Sequence, residues 1–328
     1  MKKQKMTNGT TLQGSVKKDP TGMMKRWGLV LAGGDGVRLR RLTRLISGDD
    51  RPKQFCALFG GATLLGHARQ RAERSIPGHQ VLYSLTREHE QFYLADLADC
   101  PSQRVVQPSN KGTAPGIVSG LLHVARADER ATVAILPSDH YFSNENLFSE
   151  NLDYAFDIAA QEPRSIIVLG VQPNGPETEY GWIEPGGTVR SRDSGLFRVN
   201  KFYEKPSLEI AQLLLGRNSL WNTFVMVGSA QAFLDVVRST VPGLLHAFRS
   251  VSLFARHRDE ARIPDSLYER ILSTDFSRQV LSAALERLLV FQLGPVGWSD
   301  LGDPSRALVA LSRSGTEPDW ASEWRKRS

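Results

Sequence analysis

The residues able to do chemistry fall in short segments spread along the chain, not in one acid–base triad. Gly33-Gly34-Asp35-Gly36 follows a short apolar run, and Arg38 comes two residues later. Three glycines let backbone N–H groups turn inward around phosphate oxygens, and a guanidinium clamps such oxygens in pairs. The spacing is neither G-x-G-x-x-G nor a P-loop, since no Gly-Lys-Ser/Thr follows. Taken alone, the loop reads equally well as a plain strand-to-helix turn. Arg51-Pro52-Lys53-Gln54-Phe55 then supplies a second cation, and Leu136-Pro137-Ser138-Asp139-His140 puts a carboxylate where an apolar run ends. Phe202-Tyr203-Glu204-Lys205-Pro206 sets an acid beside a base, and Gly297-Trp298-Ser299-Asp300-Leu301-Gly302 places another carboxylate between glycines. Two isolated Asp, two Lys and one Arg at strand ends suit a substrate built from phosphates together with a divalent cation. Mg²⁺ fits, because it takes one or two protein carboxylates and leaves its other positions to phosphate and water.

Such residues need strands that end together. The apolar run 27–32 predicts a buried strand, and 81–85, 104–106, 132–136 and 166–171 repeat the pattern. Helical periodicity falls between them at 63–73, 88–97, 113–126 and 146–160, with Thr113 as N-cap and Pro115 in the first turn. Strands separated by helices of this length predict right-handed crossovers and a Rossmann-like, mostly parallel α/β sheet flanked by helices. Ligands in such sheets bind beyond the carboxyl ends of the strands. After residue 171 the pattern changes. Segments 180–184 and 196–203 read as an inserted antiparallel lid, followed by a helix at 207–215, a strand at 221–227 and a helix at 230–239. Helical stretches are expected between 243 and 286, then a strand at 288–293 and a helix at 304–312.

The chain has 328 residues, 41% of them hydrophobic, which excludes disorder over the whole length. Its net charge of +6 resides in residues 1–26, leaving a neutral body and making nucleic acid an unlikely partner. The organisation read from this is a disordered basic lead (1–25), one domain (26–314) and a C-terminal tail (315–328) whose last residues, 324–327, are expected to be exposed. Only Cys56 and Cys100 occur, with no CxxC pair, and no run approaches the length of a membrane helix. A protein of a reducing, cytoplasmic compartment is expected, with no membrane partner.

Taken in order, the segments resemble the sugar-phosphate nucleotidyltransferases, in their mannose-1-phosphate guanylyltransferase branch. The resemblance runs from residue 27 to about residue 313. It is carried by residues 32–39, Pro52-Lys53-Gln54-Phe55, residues 107–115, Pro137-Ser138-Asp139-His140, residues 177–184, Glu204-Lys205-Pro206, Leu220-Trp221-Asn222 and Gly297-Trp298-Ser299-Asp300. It implies nucleotidyl transfer from GTP to mannose 1-phosphate with Mg²⁺ and a nucleotide-diphospho-sugar transferase fold; a homodimer is compatible with the sequence, which does not fix the oligomeric state. By position, it implies that Ala32, Gly33, Gly34, Asp35 and Gly36 hold the triphosphate with Arg38, while Lys53 stands by the α-phosphate as the second catalytic cation. Asp139 and Asp300 are implied as metal ligands. Gly181, Glu184, Glu204 and Asn222 are implied at the sugar, Lys205 at its phosphate, and Gln107 and Thr113 at the base. The attacking group is already a phosphate, dianionic near neutrality, so no general base is needed. Anion meeting anion is the obstacle, and preplaced cations remove it.

Three departures stand out. Arg40 and Arg41 replace an aromatic residue and Pro after Arg-Leu, extra residues lie around 46–50, and Thr223-Phe224 replaces Ser-Gly. The first two bear on triphosphate handling and the third on the sugar pocket. The additional C-terminal domain of longer relatives is not expected, and with it a second activity. Alternatives left open are another NTP or hexose 1-phosphate, and a non-catalytic nucleotide-sugar-sensing subunit. His140 reads as a loop hydrogen-bonding residue in preference to a metal ligand, and Trp182, Trp221 and Trp298 read equally as pocket walls or core.

Overall fold

The apolar runs of the first half form strands close to where they are expected. The computed structural model describes residues 25–100, 103–189, 195–250, 256–257 and 260–327. The basic lead up to residue 24 lies outside the described residues. In chain order come β1 (Arg26–Leu31), α1 (Arg40–Ser47), α2 (Leu64–Glu73), β2 (Val81–Thr86), α3 (Glu90–Asp96), β3 (Gln103–Gln107), α4 (Thr113–Ala127) and β4 (Thr132–Pro137). Then follow β5 (Tyr141–Phe142), α5 (Glu145–Gln161), β6 (Ile166–Val171), β7 (Gly181–Thr188), β8 (Leu196–Glu204), α6 (Leu208–Leu215), β9 (Leu220–Ser229), α7 (Ala230–Thr240) and α8 (Pro242–Arg249). The chain continues through β10 (Arg256–His257), β11 (Glu260–Arg262), α9 (Asp265–Arg270), α10 (Phe276–Gln279), β12 (Leu288–Gln292), β13 (Trp298–Ser299), α11 (Pro304–Ser314) and α12 (Asp319–Arg327).

One 11-stranded sheet runs in the order β10-β11-β3-β2-β1-β4-β9-β6-β12-β8-β7. β11, β3, β2, β1 and β4 are parallel neighbours, as helical crossovers require. β9 enters between β4 and β6 running the opposite way, and β7, β8 and β12 add further antiparallel pairs. The sheet is therefore mixed, correcting the expectation of a mostly parallel one. The expected lid is corrected too. β8 pairs with β12 and β7 pairs with β9, so the hairpin continues the central sheet and closes its far end into a ring of strands. Its backbone groups find partners in the sheet, which a separate lid would have left at an edge.

Side chains alternate between faces, so each strand feeds two cores. Leu29, Val133 and Ile135 pack into one with α4 and α7, while Val30, Ala134 and Leu136 pack into the other with α2 and α5. Thr63, Asn144, Ser207 and Ser229 cap α2, α5, α6 and α7, each accepting a backbone N–H. Thr113 is not a cap. Gly112 holds that position in α4, and the Thr113 hydroxyl serves α10 instead. A third cluster joins α1, α11 and α12, with Trp320 of α12 buried and its indole N–H donating to Leu58 O at 3.1 Å. Within the expected C-terminal tail, α12 docks through Trp320 and Ala321, while Arg325 and Lys326 stay exposed. Among the described residues, no helix is long and apolar enough to cross a membrane.

Candidate active site

The carboxyl ends of β1, β2, β3 and β4 open into a cavity of about 370 Å³. Gly33 and Gly34 form one lip. Gly36 turns with φ at 58°, and a Cβ there would lie 2.8 Å from Lys53 N, so glycine alone lets the two loops touch. Gln54 fixes this contact, donating to Ala32 O at 3.2 Å and to Gly34 O at 2.6 Å.

Gln107 and Thr113 line the cavity. The Gln107 side chain donates to Ser84 Oγ at 3.1 Å and accepts from the Tyr268 hydroxyl at 2.5 Å. Thr113 Oγ1 accepts from Phe276 N–H, Ala114 N–H donates to Thr274 O, and Lys111 Nζ donates to Tyr268 O and Ile271 O. Residues 268–276 are thereby stitched onto the start of α4, and Asp275 and Ser277 complete that wall.

Asp139 and Asp300 also line the cavity. Lys53 lies behind them: its ammonium is 3.2 Å from Asp139 Oδ2 and donates to Asp300 O and Leu301 O. Asp300 Oδ1 accepts from the Tyr180 hydroxyl, Gly302 N–H and Arg306, while Oδ2 is 4.0 Å from Arg38. Burial works against ionisation of both acids. Lys53 outweighs it, with Arg306 helping at Asp300, and both carboxyls sit below their ordinary range. Burial also lowers the His140 pKa, and its Nδ1 accepts from the Trp298 indole at 3.2 Å. His140 is accordingly a neutral hydrogen-bonding residue in the loop.

Glu179 stands at the rim, where a single oxygen meets Arg38 at 3.0 Å and Lys205 at 3.7 Å. Arg38 from the glycine loop and Lys205 from the end of β8 thus converge on one carboxylate. Beside them lie Gly181, Glu204 and Asn222. Burial and the neighbouring Asp275 push the Glu204 pKa up to about 7, against the opposing pull of Lys205 and Arg278.

The fold therefore brings Gly33, Gly34, Gln107, Thr113, Asp139, Gly181, Glu204, Asn222 and Asp300 to one cavity, with Arg38, Lys53 and Lys205 around it. Ala32 is buried beneath the loop, and Asp35 faces a neighbouring cavity with Arg40 and His89. Glu184 is not brought to the cavity. Its carboxylate accepts from Asn200 and Tyr203 instead. Sequence reasoning missed Ser84, Tyr268, Asp275 and Ser277, which carry no motif of their own, and Glu179, Tyr180 and Arg306. The signal for Glu179 and Tyr180 was available, since both lie within the segment 177–184.

The nucleotidyl transferase family model matches residues 27–314. The xanthan biosynthesis protein XanB of Xanthomonas campestris pv. campestris (strain B100) is 28% identical over 294 residues, or 88% of this chain. A mannose-1-phosphate guanylyltransferase of Escherichia coli is 26% identical over 293 residues, again 88% of this chain. This chain spans 60% of the length of these curated relatives. The crystal structure of a mannose-1-phosphate geranyltransferase from Thermus thermophilus is similar with a TM-score of 0.73 and 28% identity, over 85% of this chain and 77% of that one. A mannose-6-phosphate isomerase from Helicobacter pylori shares the fold, with a TM-score of 0.68 and 21% identity over 84% of this chain and 100% of its own. The motifs around the cavity and the match over nearly the whole described body agree: the chain belongs to the nucleotidyl transferase family.

Proposed function

We propose that the protein transfers the GMP moiety of GTP to mannose 1-phosphate, giving GDP-mannose and pyrophosphate. The observation that carries this reading is one cavity with a glycine-rich lip, two ionised carboxylates and three cations that approach from separate elements. A phosphate oxygen of the sugar attacks the α-phosphorus, the new P–O bond forms, and the bond to the β-phosphate breaks in line with it. Holding both reactants in that geometry supplies most of what such a transfer needs. Arg38 and the glycine loop would bind the triphosphate, Lys53 would offset charge near the α-phosphate, and Lys205 would hold the sugar phosphate. Gln107 and Thr113 face the end suited to the base, and Glu204 and Asn222 the end suited to sugar hydroxyls.

Asp139 and Asp300 fit Mg²⁺: both are hard oxygen donors, both sit below the ordinary carboxylate range, and Asp300 Oδ2 lies outside its hydrogen bonds. Held by these carboxylates, Mg²⁺ would neutralise charge on the triphosphate. Pyrophosphate release across four NTPs and a panel of sugar 1-phosphates tests the assignment. Highest kcat/KM for GTP with mannose 1-phosphate is expected; preference for another pair would redirect the reading within the family.

A further inference from the structure

β9 breaks step beside the sugar end of the cavity. Val168 of β6 pairs with Met226 and Gly170 with Asn222, so Leu169 alone stands opposite residues 223–225. The bulge is held by its own side chains. Thr223 Oγ1 donates to Leu169 O at 2.6 Å and accepts from Val225 N–H at 3.2 Å, and Asn222 Oδ1 accepts from Phe224 N–H at 2.9 Å. These bonds put Phe224 out of the ladder with φ at 60°, a left-handed conformation that glycine adopts freely and phenylalanine rarely does. Phe224 is half-buried and lines the cavity. Strain kept at a cavity wall points to a use for the side chain there.

The surroundings say what that use is. Gly181 lines the same cavity and is packed so closely that a Cβ would lie 3.0 Å from Glu204 Oε2 and 3.3 Å from Asn222 Cβ. Asn222 gives its Oδ1 to the Phe224 N–H, which leaves Nδ2 as its donor. Around Gly181 the lining thus combines the hydrogen-bonding groups Glu204 and Asn222 with Phe224 as a bulky apolar side chain. We infer that Phe224 sets the size limit of the sugar subsite, admitting an unbranched hexose 1-phosphate and excluding sugar 1-phosphates that carry a seventh carbon or an N-acyl group. This deepens the proposed function and rests on it.

The test is the sugar profile of Phe224→Gly. The backbone conformation suits glycine, so a cooperative melting transition is expected to persist; Phe224→Ala is the companion variant and Phe224→Leu the conservative one. Relative to mannose 1-phosphate, kcat/KM for a heptose 1-phosphate and for an N-acetylhexosamine 1-phosphate should rise about tenfold to hundredfold in Phe224→Gly and less in Phe224→Ala. Phe224→Leu should keep the wild-type ranking, and the KM for GTP should stay within about twofold in all three. An unchanged sugar ranking in both Phe224→Gly and Phe224→Ala, with wild-type transfer intact, would overturn the size limit and leave nucleotidyl transfer standing. Failure of the wild type to transfer from any NTP to any sugar 1-phosphate would remove both.

Discussion

Glu204 shows what a single side chain adds to the reading of its motif. Glu-Lys-Pro was visible as an acid beside a base at a strand end, but the sequence did not reveal that Asp275 would face the acid from a segment 71 residues away in number. Burial and Asp275 move the Glu204 pKa from 4.5 to about 7, so the folded state holds a proton there that the unfolded chain has released. Folding stability from this group therefore falls as pH rises between 4.5 and 7, and Glu204→Gln should remove that slope. Denaturant titrations of both proteins across this range check it; parallel curves would contradict the shift. Asp139 and Asp300 behave oppositely, since Lys53 and its neighbours hold them ionised. Asp139→Asn or Asp300→Asn should lower turnover about hundredfold or more, with the far-UV spectrum unchanged. Near-normal, EDTA-resistant turnover in either variant would defeat their assignment. The identity of these acids was legible from strand-end position; their shared contact with Lys53 was not, because Lys53 and Asp300 meet across 247 positions of chain.

Elements built on long apolar runs were legible, and those built on backbone bonds were not. β1, β2, β4 and β6 announce themselves through continuous buried residues. β11 has three residues and one buried side chain, Ala261, so no periodicity could mark it. α1 starts with two exposed arginines, and its buried face rests on Leu42 and Thr43. α2 was legible, yet its Arg71 was not. This guanidinium is only 3% exposed, binds Glu145 of α5 through Nε and Nη2, and lies 4.7 Å over the Phe142 ring. Phe142 belongs to β5, which pairs with β13 just before Asp300, so the ion pair braces the strand that carries the site. Arg71→Ala removes a buried guanidinium and its charged hydrogen bonds to the partly exposed Glu145 and should cost about 1–3 kcal/mol. Thermal or chemical denaturation measures it, and a loss under about 1 kcal/mol would show that the pair is not structural.

At the scale of the whole molecule, alternation of strand and helix revealed the α/β class, while the direction of β9 had to come from the structure. An apolar strand buried on both faces reads the same whichever way it runs. The ring closed by β7 and β9 is likewise set by hydrogen bonds that no residue type encodes. The last helix belongs at this scale as well, since it touches α1, which continues from the glycine loop. Removing residues 315–328 would uncover Leu58 and Leu311 and should destabilise the protein by about 3 kcal/mol or more, as loss of a buried tryptophan does. An unchanged melting temperature would show α12 to be dispensable. Nucleotidyl transfer breaks the bond between the α-phosphorus and the bridging oxygen to the β-phosphate, and isotopic labelling of the nucleotide tests this directly. The protein is incubated with mannose 1-phosphate, Mg²⁺ and GTP labelled with ³²P at either the α- or the γ-position, and the products are separated. α-Label is expected in GDP-mannose and γ-label in pyrophosphate. Label from the γ-position in a sugar product, or release as inorganic phosphate without sugar nucleotide, would contradict it.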